Sequence, residues 1–227
     1  MSSPLQIAID GPAGAGKSTI AKGLAREFGI LYLDTGAMYR AVGLKALLTG
    51  KDPWDQESVE GLLPEIEINI THEDGVQHVW LDGEDVSAAI RTPEAGMAAS
   101  AVAVIPAVRI QMVRMQQDIA RDRAVVMDGR DIGTYVLPDA PYKFFLTASV
   151  AERARRRCLD HQAQGKEVPL EEMIREIEKR DKNDSGRSFA PLCQAKDAVL
   201  IDSTGKTIGE VIDEIIVHIR ADALRGE

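Results

Sequence analysis

Apolar residues along this chain fall into short continuous runs, separated by longer stretches in which they recur every three to four positions. Five runs read as strands buried on both faces: Leu5–Asp10, Ile30–Asp34, Ala124–Met127, Tyr142–Leu146 and Ala198–Ile201. Short, largely apolar runs of this kind are what a parallel sheet covered by helices requires. Helical patterns lie between them, over Ser18–Phe28, Met38–Thr49, Ala95–Val104, Val150–Ala163, Leu170–Lys182 and Thr207–Leu224. A further helix starts at Pro106 and places Val108, Met112, Met115 and Ile119 on one face. Gly29 and Gly50 stand where helices commonly end. One region breaks the rhythm. Glu65–His72 alternates as Ile66, Ile68, Ile70, then Glu73-Asp-Gly75 makes a turn, and Val76–Leu81 resumes the alternation before a second turn at Asp82-Gly83. That pattern predicts an antiparallel hairpin, inserted over about 63–95. The expected fold class is α/β, with a doubly wound, five-stranded parallel sheet and a small antiparallel insertion.

Composition narrows the function more than the fold. With 227 residues, 44% hydrophobic and 28% charged, the chain can build one sizeable core with insertions. A net charge of −9 argues against nucleic acid as the main partner, but a mononucleotide needs only a local cationic pocket. Cys158 and Cys193 lie far apart without metal-type spacing, which predicts free thiols in a reducing cytoplasm. The chain enters its first strand without a charged leader and apolar segment, and no apolar run approaches the ~20 residues of a membrane span. A cytoplasmic monomer acting on small molecules, without a membrane partner, is therefore expected. His72, His78, His161 and His218 show no ligand spacing.

The densest chemical signal is Gly11-Pro12-Ala13-Gly14-Ala15-Gly16-Lys17-Ser18, followed by Thr19 and set between the first strand and the first helix. Glycine, four residues, then Gly-Lys-Ser in that setting is a phosphate-binding loop. Its backbone N–H groups and the positive helix start cradle a polyphosphate, so ATP is the expected ligand. Lys17 would reach the β- and γ-phosphates, and Ser18 would ligate Mg²⁺. Because ligands in such sheets sit beyond the carboxyl ends of the strands, the other strand ends matter. Leu33-Asp-Thr35-Gly-Ala-Met-Tyr-Arg40 offers a hydroxyl and an arginine that could hold an anion. Asp128-Gly-Arg130-Asp131 offers an aspartate placed for the Mg²⁺ shell and an arginine at the same rim. Asp131 could accept from a base or ribose, or simply fix Arg130.

Arginines also crowd the paired helices. Residues 150–190 carry ten Lys/Arg against nine Asp/Glu, so the rest of the chain holds a net −10. Arg156, Arg157, Arg180 and Arg187 are read as phosphate clamps, whereas Arg153 and Arg175 fit a solvated helical face with ion pairs. There is no Asn-Lys-x-Asp guanine-reading motif. An acceptor that is itself a phosphate needs no strong base, because its second pKa is about 6. Two other readings stay open on residues alone: a kinase for UMP or a metabolite on the same scaffold, and a non-catalytic nucleotide sensor.

Taken together, several motifs resemble the bacterial cytidylate kinase family, nucleoside monophosphate kinases acting on CMP and dCMP. They are Ile9–Ser18, Asp34–Arg40, Leu81-Asp-Gly-Glu-Asp-Val-Ser87, Ile90-Arg-Thr92, Asp128–Asp131 and Arg187-Ser-Phe-Ala-Pro-Leu192. The resemblance runs from about residue 5 to 220 and implies strand order 2-3-1-4-5. It implies a core of 1–62, 106–150 and 191–227, a monophosphate-binding insertion over 63–105 and an arginine-rich lid over 151–190. By that resemblance, Gly11–Thr19 bind ATP phosphates, and Thr35, Arg40 and Arg130 hold the CMP phosphate. Ser100, Arg109 and Asp131 would read cytosine. Arg180 and Asp184 would meet the ribose, with Arg187 near base or phosphates. Arg156 and Arg157 would lie in the lid.

Overall fold

The computed structural model describes residues 4–163 and 165–223. Strand β1 (Gln6–Asp10) leads through the glycine-rich loop into α1 (Lys17–Phe28), β2 (Leu31–Asp34) and α2 (Thr35–Leu48). A short α3 (Gln56–Leu62) precedes the hairpin of β3 (Ile68–Glu73) and β4 (Val76–Leu81), which β5 (Glu84–Asp85) extends. Helices α4 (Pro93–Val102) and α5 (Pro106–Ala120) return the chain to β6 (Val125–Gly129). A π-helical turn, Ile132–Val136, follows, then β7 (Tyr142–Thr147), α6 (Val150–Ala163), α7 (Leu170–Ser185), β8 (Val199–Asp202) and α8 (Ile208–Ala223).

The main sheet has the order β2-β6-β1-β7-β8 with every pairing parallel, and β3-β4-β5 form a separate antiparallel sheet. Counting only the main-sheet strands along the chain, this is the expected order 2-3-1-4-5. Register explains why polar residues gather at one end. Asp10 stands opposite Gly129, and Asp34 opposite Asp128, so three strand ends open on the same rim.

Three apolar clusters hold this arrangement. On one face of the sheet, Ile7, Ile9, Phe144, Leu146 and Ile201 pack against Ile20 and Leu24 of α1 and Val211 and Ile215 of α8. On the other, Ala8, Leu33, Val125 and Met127 meet Val113 and Ala120 of α5 and Ile132 and Val136 of the π turn. The third joins α2, α4 and α5 to the inner face of the hairpin through Met38, Val42, Val102, Met112, Ile68, Val79 and Leu81. Small residues allow α2 and α4 to touch backbone to backbone: a Cβ on Gly43 would come within 2.8 Å of the Ala98 carbonyl carbon and the Ala99 nitrogen. Among the described residues no single helix is long and apolar enough to cross a membrane.

The structure departs from the pattern-based expectations in several places. The last strand, expected to be buried on both faces, is the sheet edge β8, which buries only Ile201 and leaves Leu200 54% exposed, because no further strand covers it. Helix α2 begins at Thr35 rather than Met38, because the Asp34 side chain accepts the Ala37 N–H and caps it. Helix α3 buries only Val59 and Leu62, too little apolar periodicity to register. On α5 the fully buried face includes Arg109 and Gln116, while Met115 and Ile119 are only partly buried, so two core positions are polar and hidden from a hydrophobic pattern.

Gly43→Ala should lower the melting temperature by about 3–8 °C through overpacking of α2 against α4. An unchanged melting temperature would show that the two helices separate without cost.

Candidate active site

The glycine-rich loop owes its shape to positions where a side chain has no room. Gly11 has φ 149°, and a Cβ there would sit 2.0 Å from the Leu146 carbonyl oxygen. Gly16, at φ 92°, ends the loop as the N-cap of α1, leaving that helix start without a side-chain cap and open to an anion. Lys17 turns back over the loop and donates to the Pro12 carbonyl at 2.8 Å. Burial, reinforced by Arg130, lowers its ammonium pKa to about 7.

Two arginines brace the loop from outside. Arg153 Nη1 donates to the Ala13 carbonyl (2.9 Å) and pairs with Asp181 of α7 (2.7 Å), while its Nε donates to the Ala148 carbonyl. Asp181 in turn accepts from the Ala13 N–H at 3.4 Å. Arg153 is therefore buried, and its expected place on a solvated helical face is corrected; its partner lies 28 positions away, beyond the reach of helix periodicity. Arg156 lies beside the loop: Nη2 donates to the Ser203 carbonyl (2.7 Å), Nη1 to the Ser203 hydroxyl (3.0 Å) and the Ala15 carbonyl (3.4 Å), and Nε to Glu152 (2.9 Å). Arg175, 78% exposed and 3.6 Å from Glu171, is the solvated ion pair expected of it.

Beyond the loop, the ends of β2 and β6 supply oxygens. The Ser18 hydroxyl donates to one Asp128 oxygen at 2.8 Å, and the Tyr32 hydroxyl to the other at 2.9 Å. Burial, with Asp34 nearby, raises the Asp128 carboxyl above its ordinary pKa. The Thr35 hydroxyl donates to the Asp128 carbonyl at 2.7 Å, and Thr19 is exposed on α1 next to Ser18. Asp34 is fixed by the hairpin: Gln77 accepts from its N–H at 2.8 Å, and Arg91 pairs with its carboxylate at 2.9 Å.

Cations converge opposite the loop. Arg130 Nε donates to one oxygen of Asp184 at 2.6 Å, and Arg187 pairs with the other. Burial pushes this carboxyl up, but Arg130, Arg187 and Arg180 outweigh it and hold it below the usual carboxylate range. Burial also drives Arg180 down to about 10, aided by Arg130, Arg157 and Arg40 and opposed by Asp184. Its Nε is buried without a hydrogen-bond partner among the described residues. Arg40 donates to the Ile90 carbonyl at 3.1 Å and is likewise lowered by burial, with Arg91, Arg157 and Arg130 adding to the effect. Arg157 reaches Glu176 at 3.3 Å on the outer side. The site is thus loaded with positive charge that Asp184 only partly balances, an arrangement that favours anionic ligands.

A third group lies deeper. Arg109 is 1% exposed, 2.5 Å from the buried Asp131 carboxylate, and its Nη1 donates to the Ala103 carbonyl at 3.3 Å. Its guanidinium lies 5.4 Å from the Tyr39 ring centroid. Ser100, half-buried on α4, stands one turn before Ala103. The pairing answers the ambiguity over Asp131: it contacts Arg109, while Arg130 is held by Asp184. Sequence reasoning placed Asp10 on the rim beside the loop without giving it a role, and it assigned none to Tyr32, Tyr39 or Arg91 and missed the bracing role of Arg153. Tyr32 carried a usable signal, being a hydroxyl within the short apolar run of β2, two residues before Asp34.

Asp184→Asn should destabilise the protein at pH 7 by about 3–5 kcal/mol, since it leaves buried arginines without a counter-charge. Because the folded pKa of Asp184 is depressed, the wild-type advantage is full above the unfolded value and shrinks as pH falls below about 3.9. Chemical denaturation of both proteins across pH 3–7 checks this. A difference that stayed constant into acid would remove the ion-pair explanation.

Comparison with known proteins follows the same line as the geometry. The family model described as cytidylate kinase matches residues 7–221. A cytidylate kinase of Caldicellulosiruptor bescii is 52% identical over 212 residues, covering 93% of this chain and 94% of that protein. One from Geobacter sulfurreducens is 50% identical over 224 residues, covering 98% and 96%. A gluconokinase structure from Sinorhizobium meliloti shares the fold, with a TM-score of 0.51 at 14% identity over 99% of this chain and 97% of that one. With a phosphate-binding loop facing a cluster of buried arginines, and a match that spans nearly its whole length, the chain belongs to the cytidylate kinase family.

Proposed function

We infer that this protein transfers the γ-phosphoryl group of ATP to CMP and dCMP, yielding ADP and CDP or dCDP. The observation that carries the reading is the facing pair of anion sites: the glycine-rich loop with Lys17 on one side, and on the other Arg130, Arg180 and Arg187 around the buried Asp184 carboxylate, with Arg40 nearby. Family membership selects cytidine among possible acceptors.

The loop residues Gly11–Thr19 hold the ATP phosphates, and Lys17 exchanges the Pro12 carbonyl for a phosphate oxygen. Thr35, Arg40 and Arg130 hold the CMP phosphate, and Arg180, Asp184 and Arg187 line the ribose and phosphate side. The acceptor phosphate, with a second pKa of about 6, is already a nucleophile at neutral pH, so the chain has to align and neutralise rather than abstract a proton. Arg157 and Arg180 add charge where the loose transition state spreads it. Arg156 keeps the outer wall of the loop in place. Residues 151–190 act as the lid and 63–105 cover the acceptor; closure of the lid excludes water and suppresses ATP hydrolysis.

Ser18 and Asp128 fit Mg²⁺, since they present hard oxygen donors beside the loop and this ion takes few protein ligands alongside phosphate and water. When bound, Mg²⁺ neutralises charge on the phosphate oxygens. Cytosine matches the Arg109–Asp131 pair because its amino group can donate to the carboxylate while its ring nitrogen and carbonyl accept from the guanidinium. Uracil would set a carbonyl oxygen against Asp131.

With ATP and Mg²⁺, CMP and dCMP should release ADP rapidly, and kcat/KM for UMP should be lower by about a hundredfold or more. Turnover with another acceptor and not CMP would discard the roles of Ser100, Arg109 and Asp131. ATP binding without turnover on any acceptor would favour a sensor. Lys17→Ala should lose about 10²–10³ in kcat while its circular dichroism spectrum is retained; wild-type turnover would contradict the loop assignment.

A further inference from the structure

Asp10 ends β1 immediately before Gly11, yet its side chain points away from the loop. One carboxylate oxygen accepts the Ile132 N–H at 2.8 Å, and the other accepts the Gly133 N–H at 2.7 Å. These two amides open the π-helical turn that follows Asp131. The group is 4% exposed, so its desolvation is costly, and burial lifts its carboxyl to about 6 despite the two N–H bonds. Neutral asparagine could accept from one amide but would set its own NH₂ against the other.

The placement gives this carboxylate a definite lever. Asp10 and Gly129 are register partners across the β1–β6 ladder. Between Gly129 and Ile132 lie only Arg130 and Asp131. The ladder therefore fixes the backbone on one side of this pair, and the Asp10 carboxylate fixes it on the other. Arg130 is then aimed at Asp184, and Asp131 into the interior at Arg109. The turn lies against this carboxylate: a Cβ on Gly133 would make an ordinary contact with it at 3.4 Å.

We propose that Asp10 is a positioning residue for acceptor-base selectivity, carrying the rigid end of the phosphate-loop strand to Asp131 and through it to Arg109. The proposal rests on the assignment of Asp131 and Arg109 to cytosine. Asp10 touches neither nucleotide. It ties the ATP side of the site to the CMP side through two hydrogen bonds and one strand register.

The test is steady-state kinetics of the full chain with ATP, CMP and UMP for Asp10→Asn and Arg109→Met, with melting temperatures alongside. Asp10→Asn should raise the KM for CMP about tenfold and lower the CMP-over-UMP ratio of kcat/KM by about as much. The KM for ATP should stay within about twofold, less than the free energy of one hydrogen bond. A purely structural role would lower the melting temperature and active fraction while leaving both KM values and the ratio unchanged, and that result overturns the proposal. Equal rises in the two KM values overturn it as well, because Asp10 would then act through the loop. If Arg109→Met shifts the ratio and Asp10→Asn does not, the Asp10 proposal alone fails. If Arg109→Met leaves the ratio unchanged, the base assignment fails and takes the proposal with it. Should Asp10→Asn not fold, Asp10→Glu, which keeps the charge but moves the carboxylate off the two amides, is judged by the same criterion: a raised KM for CMP with a lower ratio supports the proposal, and unchanged values overturn it.

Discussion

One carboxylate holds together charges that would otherwise push the site apart. Asp184 receives Arg130 on one oxygen and Arg187 on the other, and it is the nearby negative charge that opposes the lowering of Arg180. These arginines come from the end of β6, from α7 and from the segment after it, so the ion pairs also decide how the paired helices sit against the sheet. Their charge exceeds what Asp184 supplies, and the remainder is the attraction that the proposed function assigns to phosphorylated ligands. Stability and binding pull in opposite directions here: a fully balanced cluster would fold more securely and bind phosphate less well.

The same helices hold the glycine-rich loop. Arg153 of α6 and Asp181 of α7 meet each other and both contact Ala13, while Arg156 spans from Glu152 to Ser203 and Ala15. Movement of α6 and α7 is thereby tied to the shape of the glycine-rich loop. At the other side of the rim, Asp34 caps α2, pairs with Arg91 and hydrogen-bonds through its backbone to Gln77, linking the β3–β4 sheet to the strand that leads into Thr35 and Arg40.

Much of this was legible in the sequence. The five main-sheet strands stood out because their apolar runs are continuous, although the edge strand β8 buries only Ile201, and the loop stood out because Gly11, Gly16, Lys17 and Ser18 have fixed spacing between a strand and a helix. The hairpin showed as alternation over β3 and β4. What escaped was set by long-range pairing of charge. Arg109 and Gln116 occupy core positions of α5 that a hydrophobic pattern leaves blank, and the charge of Arg109 is paired with that of Asp131 from another element. Arg153 looked solvated because its partners, Ala13 and Asp181, are distant in the chain. The π turn depends on Asp10, 122 positions before Ile132, and leaves no local trace. The Arg109–Asp131 pair carried information about its role only through resemblance to a family.

The central claim is that the loop and the arginine cluster form one continuous cationic site for the phosphates of two nucleotides. Calorimetric titration with a compound joining adenosine and cytidine through five phosphates tests this most directly, with ADP and CMP as references. A shared site predicts a Kd lower than that of either reference by about a hundredfold or more, because the second half binds at high effective concentration. A Kd no lower than that of ADP would contradict it, showing that the two anion sites cannot be engaged together.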